Sequence, residues 1–308
     1  MHISLAPLEG ITGYIVRNAF LHNFGGIDTY YTPFIPAGKN FNKKILRDIS
    51  PENNEGLRLI PQLMSNRAEE VINMGHQLAA FGYDTININL GCPSGTVSSK
   101  KRGSGLLLYP EELDHFLYEV YSRADFRVSV KTRIGFHAAE EWDAILDIYR
   151  KYPIDELIIH PRVRAEFYNG VPHLDCFEQA YDTAPVPLCY NGDIVSLESY
   201  TAITERFPRL DNIMIGRGLL ATPWLAAQIK GETLSVSSRQ KKLRAFCDEI
   251  YYGYLSIFSG EKDAVMHMKE IWGFLGNSFP GREKTLKKIR KCQNYAEYKI
   301  LVDEMFRD

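Results

Sequence analysis

The sequence predicts a (β/α)8 TIM barrel over residues 1–230, followed by a small, basic, all-helical domain over residues 235–308. Two observations lead to this fold. Short β-rich runs alternate with amphipathic helical stretches in eight units within about the first 225 residues, which suits a closed parallel barrel better than a doubly wound sheet. After Trp224 the β-rich runs stop and only helical periods continue.

Each element of this pattern has a local reason. Runs such as 157–159 and 213–215 are apolar at consecutive positions, as expected for strands that are buried on both faces of a parallel sheet. Residues 68–81 follow the helical period, and Pro110 suits the first turn of another helix. We expect a linker at residues 230–233. The predicted strands begin near Ile3, Asp28, Leu59, Thr85, Val128, Leu157, Val186 and Asn212.

The composition excludes several classes of protein. With 45% hydrophobic and 24% charged residues and a net charge of −2, the chain resembles an ordinary globular protein. It has no run of about 18 apolar residues that could span a membrane. The segment 1–7 has no basic residues ahead of its apolar ones, unlike a secretory signal, so we expect a cytoplasmic protein. Separately, we expect the protein to be a monomer. Five scattered cysteines without a Cys-x-x-Cys pair predict neither a disulfide framework nor a metal site.

The two predicted domains differ in charge. Residues 239–308 contain 14 Lys and Arg against 10 Asp and Glu, a net +4, so the rest of the chain carries −6. The densest basic segment is 282–291, which includes Lys287, Lys288 and Lys291, while Leu286 and Ile289 could face a core. Two interpretations stay open for this segment: a solvated helix face, or a stripe that binds a polyanion.

Polar residues follow the predicted strands at their carboxyl ends, where barrel enzymes gather their catalytic groups. A polar side chain in this position must find a partner, so several together predict one polar ligand at the barrel mouth. In chain order the strand ends carry Ala6-Pro7, Gln62, Asn89, Cys92, Lys131, Arg133, His160, Arg162, Asn191-Gly192-Asp193 and Gly216-Arg217.

The last two of these motifs favour a phosphate site. Gly192 and Gly216 follow the seventh and eighth strands, where barrels often bind phosphate, and Arg217 adds a fixed positive charge. Either motif alone also fits a structural turn, whereas both at these strands favour phosphate. Lys131 could reach the barrel axis, with a buried ion pair to a carboxylate as the alternative. After His160, the guanidinium groups of Arg162 and Arg164 could hold phosphates.

Cys92 differs from the other cysteines in its surroundings. It lies in a Gly/Pro loop at a strand end, and a polar stretch with Lys100, Lys101 and Arg102 follows it. A thiol there can donate a proton or attack a substrate, whereas a lone cysteine elsewhere is usually a small inert hydrophobe. At an ordinary pKa of about 8.5 the thiol stays largely protonated at neutral pH.

Taken together, the motifs resemble those of the dihydrouridine synthases, flavin enzymes that reduce uridine in RNA. The resemblance covers residues 1 to about 225 in the family's order, and the helical tail looks like the family's RNA-binding domain. The matching motifs are Leu5-Ala6-Pro7-Leu8-Glu9-Gly10-Ile11-Thr12, Gln62, Asn89-x-Gly91-Cys92-Pro93, Lys131-x-Arg133-x-Gly135, His160-x-Arg162, Asn191-Gly192-Asp193-Ile194 and Gly216-Arg217-Gly218.

The resemblance implies FMN over the barrel mouth, NADPH as reductant and RNA, most simply tRNA, as substrate. It implies Cys92 as the acid that protonates carbon 5 of uracil after hydride reaches carbon 6, with Asn89 facing flavin and uracil. The cofactor contacts that we expect are Ala6, Pro7, Leu8, Gln62, Asn89, Lys131, His160, Asn191, Gly192, Asp193, Gly216 and Arg217. The substrate contacts that we expect are Asn89, Lys100, Lys101, Arg102, Arg133, Arg162, Arg164, Lys287, Lys288 and Lys291.

The sequence departs from the family pattern at Gly13, Pro33, Gly95 and Val163. None of these positions removes an expected flavin contact or the acid, and Lys100, Lys101 and Arg102 could replace a charge missing at Gly95. Three rival functions stay open: a flavin barrel that reduces a free pyrimidine, a phosphosugar isomerase without flavin, and a non-catalytic RNA-binding protein. A free base would not require the basic helical domain, and flavin colour would exclude the isomerase.

Overall fold

The computed structural model describes residues 1–38 and 40–307, and its strands form one sheet in which every pair is parallel. The strands are β1 (His2–Leu5), β2 (Thr29–Tyr31), β3 (Ile35–Pro36), β4 (Leu59–Ile60), β5 (Gln62–Met64), β6 (Thr85–Leu90), β7 (Arg127–Gly135), β8 (Leu157–Val163), β9 (Leu188–Tyr190) and β10 (Asn212–Ile215).

The ten short strands form eight barrel staves. β2 and β3 belong to the second stave, and β4 and β5, which Pro61 separates, belong to the third. β4 pairs with β2, while β5 pairs with both β3 and β6. Since β10 pairs with β1, each stave is hydrogen-bonded to the next and the last to the first. The predicted barrel is confirmed, and each predicted strand start lies within two residues of the observed one.

Helices follow most of the staves and cover the outside of the barrel. The barrel helices are α1 (Tyr14–Asn23), α2 (Lys43–Ile49), α3 (Ala68–Ala79), α4 (Gly95–Ser98), α5 (Pro110–Arg123), α6 (Trp142–Tyr149), α7 (Leu174–Thr183), α8 (Leu197–Arg206), α9 (Arg217–Ala221) and α10 (Leu225–Ile229). Pro110 begins α5 as predicted. In α3, Val71 and Leu78 face the core, but Ala79 is exposed because it lies at the last turn, where the helix leaves the barrel.

The C-terminal segment is helical throughout its described residues and packs directly on the barrel. Its helices are α11 (Val236–Ile257), α12 (Glu261–Leu275), α13 (Glu283–Ile289) and α14 (Tyr295–Met305). The ring of Phe246, on α11, packs edge-on against Phe20 of α1 and against Phe24 directly after α1, with ring centroids 4.9 and 5.5 Å apart. Gly253 lets the same two helices approach, since a Cβ there would lie 2.6 Å from Ile15 Cγ2. The buried residues of both parts form one continuous core.

The interior of the barrel changes character along its axis. A small apolar cluster that includes Tyr31, Ile158 and Met214 fills the interior, and polar side chains take over toward the carboxyl ends of the strands. The polar mouth of the barrel therefore lies on a tightly packed apolar interior.

All five cysteines are free thiols. Within residues 1–38 and 40–307, no helix is both long enough and apolar enough to cross a bilayer.

Candidate active site at the barrel mouth

A cavity of about 950 Å³, including its open mouth, lies at the carboxyl ends of the strands. The structure brings Cys92 and all the expected cofactor contacts together in its lining: Ala6, Pro7, Leu8, Gln62, Asn89, Lys131, His160, Asn191, Gly192, Asp193, Gly216 and Arg217. The lining also contains Glu9, Phe34 and Tyr168, which were not predicted from the sequence as cofactor or substrate contacts. Tyr168 had a detectable signal, because it is an aromatic residue in the loop that follows His160 and Arg162.

A chain of buried amides runs through the floor of the cavity. Asn89 Nδ2 donates to Gln62 Oε1, and Gln62 Nε2 donates to Asn87 Oδ1, both at 2.7 Å. Asn87 Nδ2 then donates to Ser129 Oγ at 2.9 Å, and the Ser129 hydroxyl donates to the Ile86 carbonyl at 3.1 Å. Because each link uses one donor and one acceptor, the chain determines which way every amide points. Asn89 is thereby oriented from beneath.

The amide chain ends at the loop that carries Cys92. Asn89 Oδ1 accepts hydrogen bonds from the backbone N–H groups of Gly91 and Cys92, at 3.0 and 2.9 Å. The Ser104 hydroxyl donates to the Cys92 carbonyl at 2.7 Å. Gly103 has φ of +55° and lies so close that a Cβ would be 2.9 Å from Cys92 Cβ. Burial raises the pKa of the half-buried Cys92 thiol above its ordinary value, so the thiol is protonated at neutral pH.

Lys131 is partly buried beside this loop and has an amide as its partner. Its Nζ donates to Asn191 Oδ1 at 2.7 Å, and Asn191 Nδ2 donates to the Met214 carbonyl at 2.8 Å. Among the described residues no carboxylate forms an ion pair with Lys131, so the alternative of a buried ion pair is not observed. Burial, together with the charge of Arg133, lowers the pKa of Lys131 from 10.5 to about 8. The ammonium is thus charged at neutral pH and incompletely compensated.

His160 is a neutral group in this structure. Burial is the largest cause that lowers its pKa well below 6.5, and the charges of Arg133, Lys131, Arg162 and Arg217 act in the same direction. Arg162 Nη1 lies 3.3 Å from His160 Nε2. Since a guanidinium has only donors, Nε2 must accept, and the ring proton lies on Nδ1. The imidazole therefore offers one N–H donor to a ligand.

Two of the arginines expected to contact RNA lie inside the protein. Arg133 donates to the carbonyls of Gly91, Val163 and Phe167 at 3.0, 3.0 and 2.6 Å, and only 1% of it is exposed. Arg162 is fully buried, and its remaining donors hold carbonyls of its own loop and the Asp193 carboxylate. In this structure both side chains hold the loops that surround the cavity, Arg133 also lines the cavity, and their contact with RNA stays a prediction.

The glycine loops and Arg217 form one end of the cavity. Asp193 has φ of +41°, and its carboxylate contacts both Arg162 and Arg217, with Oδ1 at 2.8 Å from Arg217 Nη2. Because one carboxylate serves two guanidinium groups, this end keeps a net positive charge. Gly218 is required for packing, since a Cβ there would lie 2.0 Å from the Ile194 carbonyl oxygen. The backbone of the glycine loops and the guanidinium of Arg217 thus lie together, which is the combination that binds phosphate groups in proteins.

The remaining expected RNA contacts lie outside the cavity lining. Lys101 pairs with Glu112 at 2.6 Å, and Arg102 pairs with Glu70 at 3.5 Å. Lys100 is exposed and has no side-chain partner among the described residues. On α13 and the two residues that follow its C-cap, here called the α13 surface, the side chains of Lys287, Lys288 and Lys291 are exposed, while Ile289 and Cys292 are buried. The structure does not bring these lysines into the mouth, and their contact with RNA stays a prediction.

At Gly13 a distant side chain supplies a helix cap. Asp48 Oδ1 accepts a hydrogen bond from the Tyr14 N–H at 2.6 Å, at the start of α1. Asp48 also pairs with the buried Arg17 at 3.3 Å. The carboxylate that caps α1 therefore comes from α2, and a Cβ at Gly13 would lie 3.3 Å from its Oδ1.

Solved structures with a similar fold have distant sequences. A 2-naphthoyl-CoA reductase complex matches with a TM-score of 0.56 and 12% identity over 75% of this chain and 50% of its own. Morphinone reductase matches with a TM-score of 0.53 and 11% identity over 77% of this chain and 88% of its own. At this identity the likeness concerns the fold alone.

Curated relatives are more similar in sequence. A tRNA-dihydrouridine(16) synthase of Aquipseudomonas alcaligenes is 30% identical over 74% of this chain and 75% of its own. A protein of the same name in Neisseria meningitidis serogroup A is 28% identical over 98% and 93% of the two chains. A probable tRNA-dihydrouridine synthase of Staphylococcus aureus MRSA252 is 25% identical over 97% and 92%.

The sequence model of the dihydrouridine synthase family matches from residue 4 to residue 308, so it spans both the barrel and the helical segment. This range includes every residue of the cavity described above. The chain therefore belongs to the dihydrouridine synthase family of flavin-dependent oxidoreductases.

Proposed function

We propose that this protein uses FMN and NADPH to reduce the 5,6 double bond of specific uridines in tRNA, producing 5,6-dihydrouridine. The observation that carries the proposal is that one cavity contains both a protonated thiol, Cys92, and a partly buried ammonium, Lys131. The names of the curated relatives support tRNA as the substrate. A tRNA substrate in turn supports the expected cytoplasmic location.

The residues of the cavity fit FMN in both character and arrangement. Gln62, Lys131 and the Nδ1–H of His160 would hold the polar edge of the isoalloxazine ring. Gly192, Gly216 and Arg217 would hold the phosphate, directly after β9 and β10. FMN supplies, when bound and reduced by NADPH, the hydride for carbon 6 of uracil. Lys131 would stabilise negative charge near the reduced ring, because a buried cation acts strongly in a site that excludes water.

Cys92 supplies the proton that the reaction needs at carbon 5. Its raised pKa keeps the Sγ–H intact at neutral pH, which is the state that a general acid requires. After the transfer a thiolate remains, and the charges of Arg133 and Lys131, which favour the ionised form, stabilise it. Asn89 holds the backbone of Cys92 and so limits where the thiol can lie. The protein thus contributes orientation and the proton.

Contacts with tRNA are proposed at two places. Lys100, Lys101, Arg102 and Arg164 lie on or beside the loop of Cys92, and the exposed lysines of α13 form a second basic surface. Arg133 and Arg162 act in this proposal as positioning residues for the loops, and Asn89 as the group beneath the uracil. The oligomeric state stays a prediction of a monomer, which light scattering of the purified protein would check.

The test of the proposal separates the rival functions. The purified chain should be yellow from bound FMN, should oxidise NADPH, and should form dihydrouridine in an unmodified tRNA transcript. Reduction of free uridine or orotate in preference to tRNA would favour the free-pyrimidine enzyme instead. A colourless protein that does not bind added FMN in a fluorescence titration would refute the proposal. Binding of tRNA without flavin reduction by NADPH would favour a non-catalytic RNA-binding protein.

A further inference from the structure

The cations around the barrel mouth differ in what already binds them. Lys101 and Arg102 each pair with a glutamate, while Arg162 and Arg217 share Asp193. Arg133 gives its donors to three carbonyls, and Lys131 lies in the cavity against Asn191. Arg164 has neither arrangement: no described carboxylate lies within ion-pair distance of it, and its one hydrogen bond goes from Nε to the Pro93 carbonyl at 3.0 Å.

Arg164 is nevertheless held in place. Its guanidinium carbon lies 5.0 Å from the ring centroids of both Phe136 and Phe167, so two aromatic rings contact the group. Phe167 has φ of +54°, an unfavourable backbone conformation for a bulky residue, and Arg133 Nη2 donates to its carbonyl. The buried Arg133 thereby stabilises the loop conformation that puts one of the two rings beside Arg164.

The outer end of the guanidinium reaches the loop of Cys92. Arg164 Nη2 lies 3.7 Å from the position that a Cβ at Gly95 would occupy, so the missing side chain leaves that end open. Pro93, the Nε partner, directly follows Cys92 and lines the cavity, whereas Arg164 itself does not. A free, oriented guanidinium therefore lies beside the cavity and next to the proton donor.

We propose that Arg164 binds a backbone phosphate of the RNA strand next to the uridine that enters the cavity. This inference rests on the proposed function and names the group that positions its substrate. A phosphate suits the site because the two Nη groups of a guanidinium are free donors and a fixed fork binds phosphate in bidentate geometry. Since the side chain is already ordered between two rings, binding costs little further side-chain entropy.

The alternative role for Arg164 is a clasp that holds the Cys92 loop through Pro93. The two roles predict different results. A clasp acts through the geometry of Cys92 and is insensitive to salt, whereas a phosphate contact releases counterions and appears in the salt dependence of binding. Each role therefore has its own measurement.

The experiment compares wild type, Arg164→Gln, Arg164→Lys and Arg209→Gln in the 308-residue chain loaded with FMN. Arg209 is the control for the loss of one arginine charge, since it stacks on Tyr181 at 4.6 Å, pairs with Asp182 at 3.1 Å and lies just before β10, at the opposite end of the barrel. The affinity for an unmodified tRNA transcript is measured from about 50 to 200 mM salt. The rate at which iodoacetamide alkylates Cys92 is measured by mass spectrometry in the same proteins.

We expect Arg164→Gln to reduce the log–log salt slope by about 0.7 to 0.9 and to raise the Kd about tenfold at low salt. Arg164→Lys should keep the wild-type slope, because it keeps the charge, and Arg209→Gln should match wild type throughout. Alkylation of Cys92 should be unchanged in all variants.

An unchanged slope in Arg164→Gln would overturn the inference. Altered alkylation of Cys92 in both Arg164 variants would overturn it as well, in favour of the clasp. The proposed function fails separately: a wild-type protein that binds tRNA but leaves its uridines unreduced would refute that function and leave the slope comparison valid.

Discussion

The barrel mouth and the surface of α13 are both basic, but they use positive charge in opposite ways. At the mouth, Arg133 is buried and Lys131 is partly buried, and each has a specific partner. On the α13 surface, Lys287, Lys288 and Lys291 are exposed, and no described carboxylate pairs with them. In sequence the two sets look alike, as short basic motifs.

Solvation explains this difference. A charge taken out of water must be hydrogen-bonded or paired, and it then interacts strongly with whatever enters the cavity. A charge left in water needs no partner, but salt screens its effect on a ligand. Buried cations therefore organise loops and tune chemistry, while exposed cations attract a polyanion. We expect changes at the mouth to alter the reaction and changes on α13 to alter affinity alone.

The largest effect that we expect at the mouth comes from Cys92→Ala. Flavin reduction by NADPH needs no proton donor for uracil, so it should proceed at the wild-type rate, whereas uridine reduction should slow about 100- to 10,000-fold. Stopped-flow measurement of each half-reaction checks the split. Cys176→Ala is the control, because Cys176 is also a half-buried thiol but lies on α7, away from the cavity. Uridine reduction at the wild-type rate in Cys92→Ala would mean that another group donates the proton.

A second, smaller effect should come from reversing the charges of α13. Replacing Lys287, Lys288 and Lys291 with glutamate should raise the Kd for tRNA roughly 10- to 100-fold at low salt and flatten its salt dependence. Flavin reduction by NADPH should not change. Reversing Lys151, Arg206 and Arg209, cations with acidic partners on the outside of the barrel, changes the net charge equally. Equal losses of affinity in both triple variants would indicate total charge instead of a specific surface.

Arg217→Ala tests the comparison between buried and exposed cations at an intermediate case, because Arg217 lies at the mouth but its side chain is 41% exposed. It should weaken retention of FMN by about 1.5 kcal/mol, roughly tenfold, at the low end for a charge-assisted hydrogen bond. The Arg162–Asp193 pair stays in place and should preserve the fold. Equilibrium dialysis of FMN measures the change, with Arg206→Ala as the control. If FMN retention is unaffected in Arg217→Ala, the glycine loops alone hold the phosphate.

The last effect concerns stability, not the reaction, and tests whether the Lys131 ammonium is desolvated in the folded protein. Its pKa is lowered from 10.5 to about 8 in the folded protein, so between these values the unfolded chain binds the extra proton. The free energy of unfolding should therefore gain up to about 3 kcal/mol from this group as pH rises through that window, because each pKa unit corresponds to about 1.4 kcal/mol. Urea denaturation at several pH values should show this gain in wild type and lose it in Lys131→Met.

Lys101→Met provides the reference for that measurement, since its ammonium lies at the surface against Glu112. It should retain the wild-type dependence on pH. A Lys131→Met protein with the same dependence as wild type would show that the ammonium is solvated in the folded state.

Sequence patterns located the staves well because parallel strands buried on both faces appear as apolar runs. They located most of the cavity for the same reason: a polar residue such as Gln62 or Lys131 is conspicuous at the end of such a run. Glu9, Phe34 and Tyr168 were missed as cavity residues because they lie on loops, where no periodicity distinguishes one side from the other. The sequence identified the basic residues but did not separate the buried ones, which hold loops, from the exposed ones, because charge alone does not reveal burial.

By itself, the sequence determined the barrel, the helical tail and the set of polar groups at the strand ends, because these follow from local patterns of burial. Only the tertiary structure decided which partner each polar group has. Lys131 donates a hydrogen bond to the Asn191 side chain, and Arg133 donates to the carbonyls of Gly91 and Phe167. These partners are distant from one another in the chain. Whether an arginine organises a loop, as Arg133 does, or keeps free donors, as Arg164 does, depends on these contacts. The reason is physical: hydrogen bonds and desolvation act between neighbours in space.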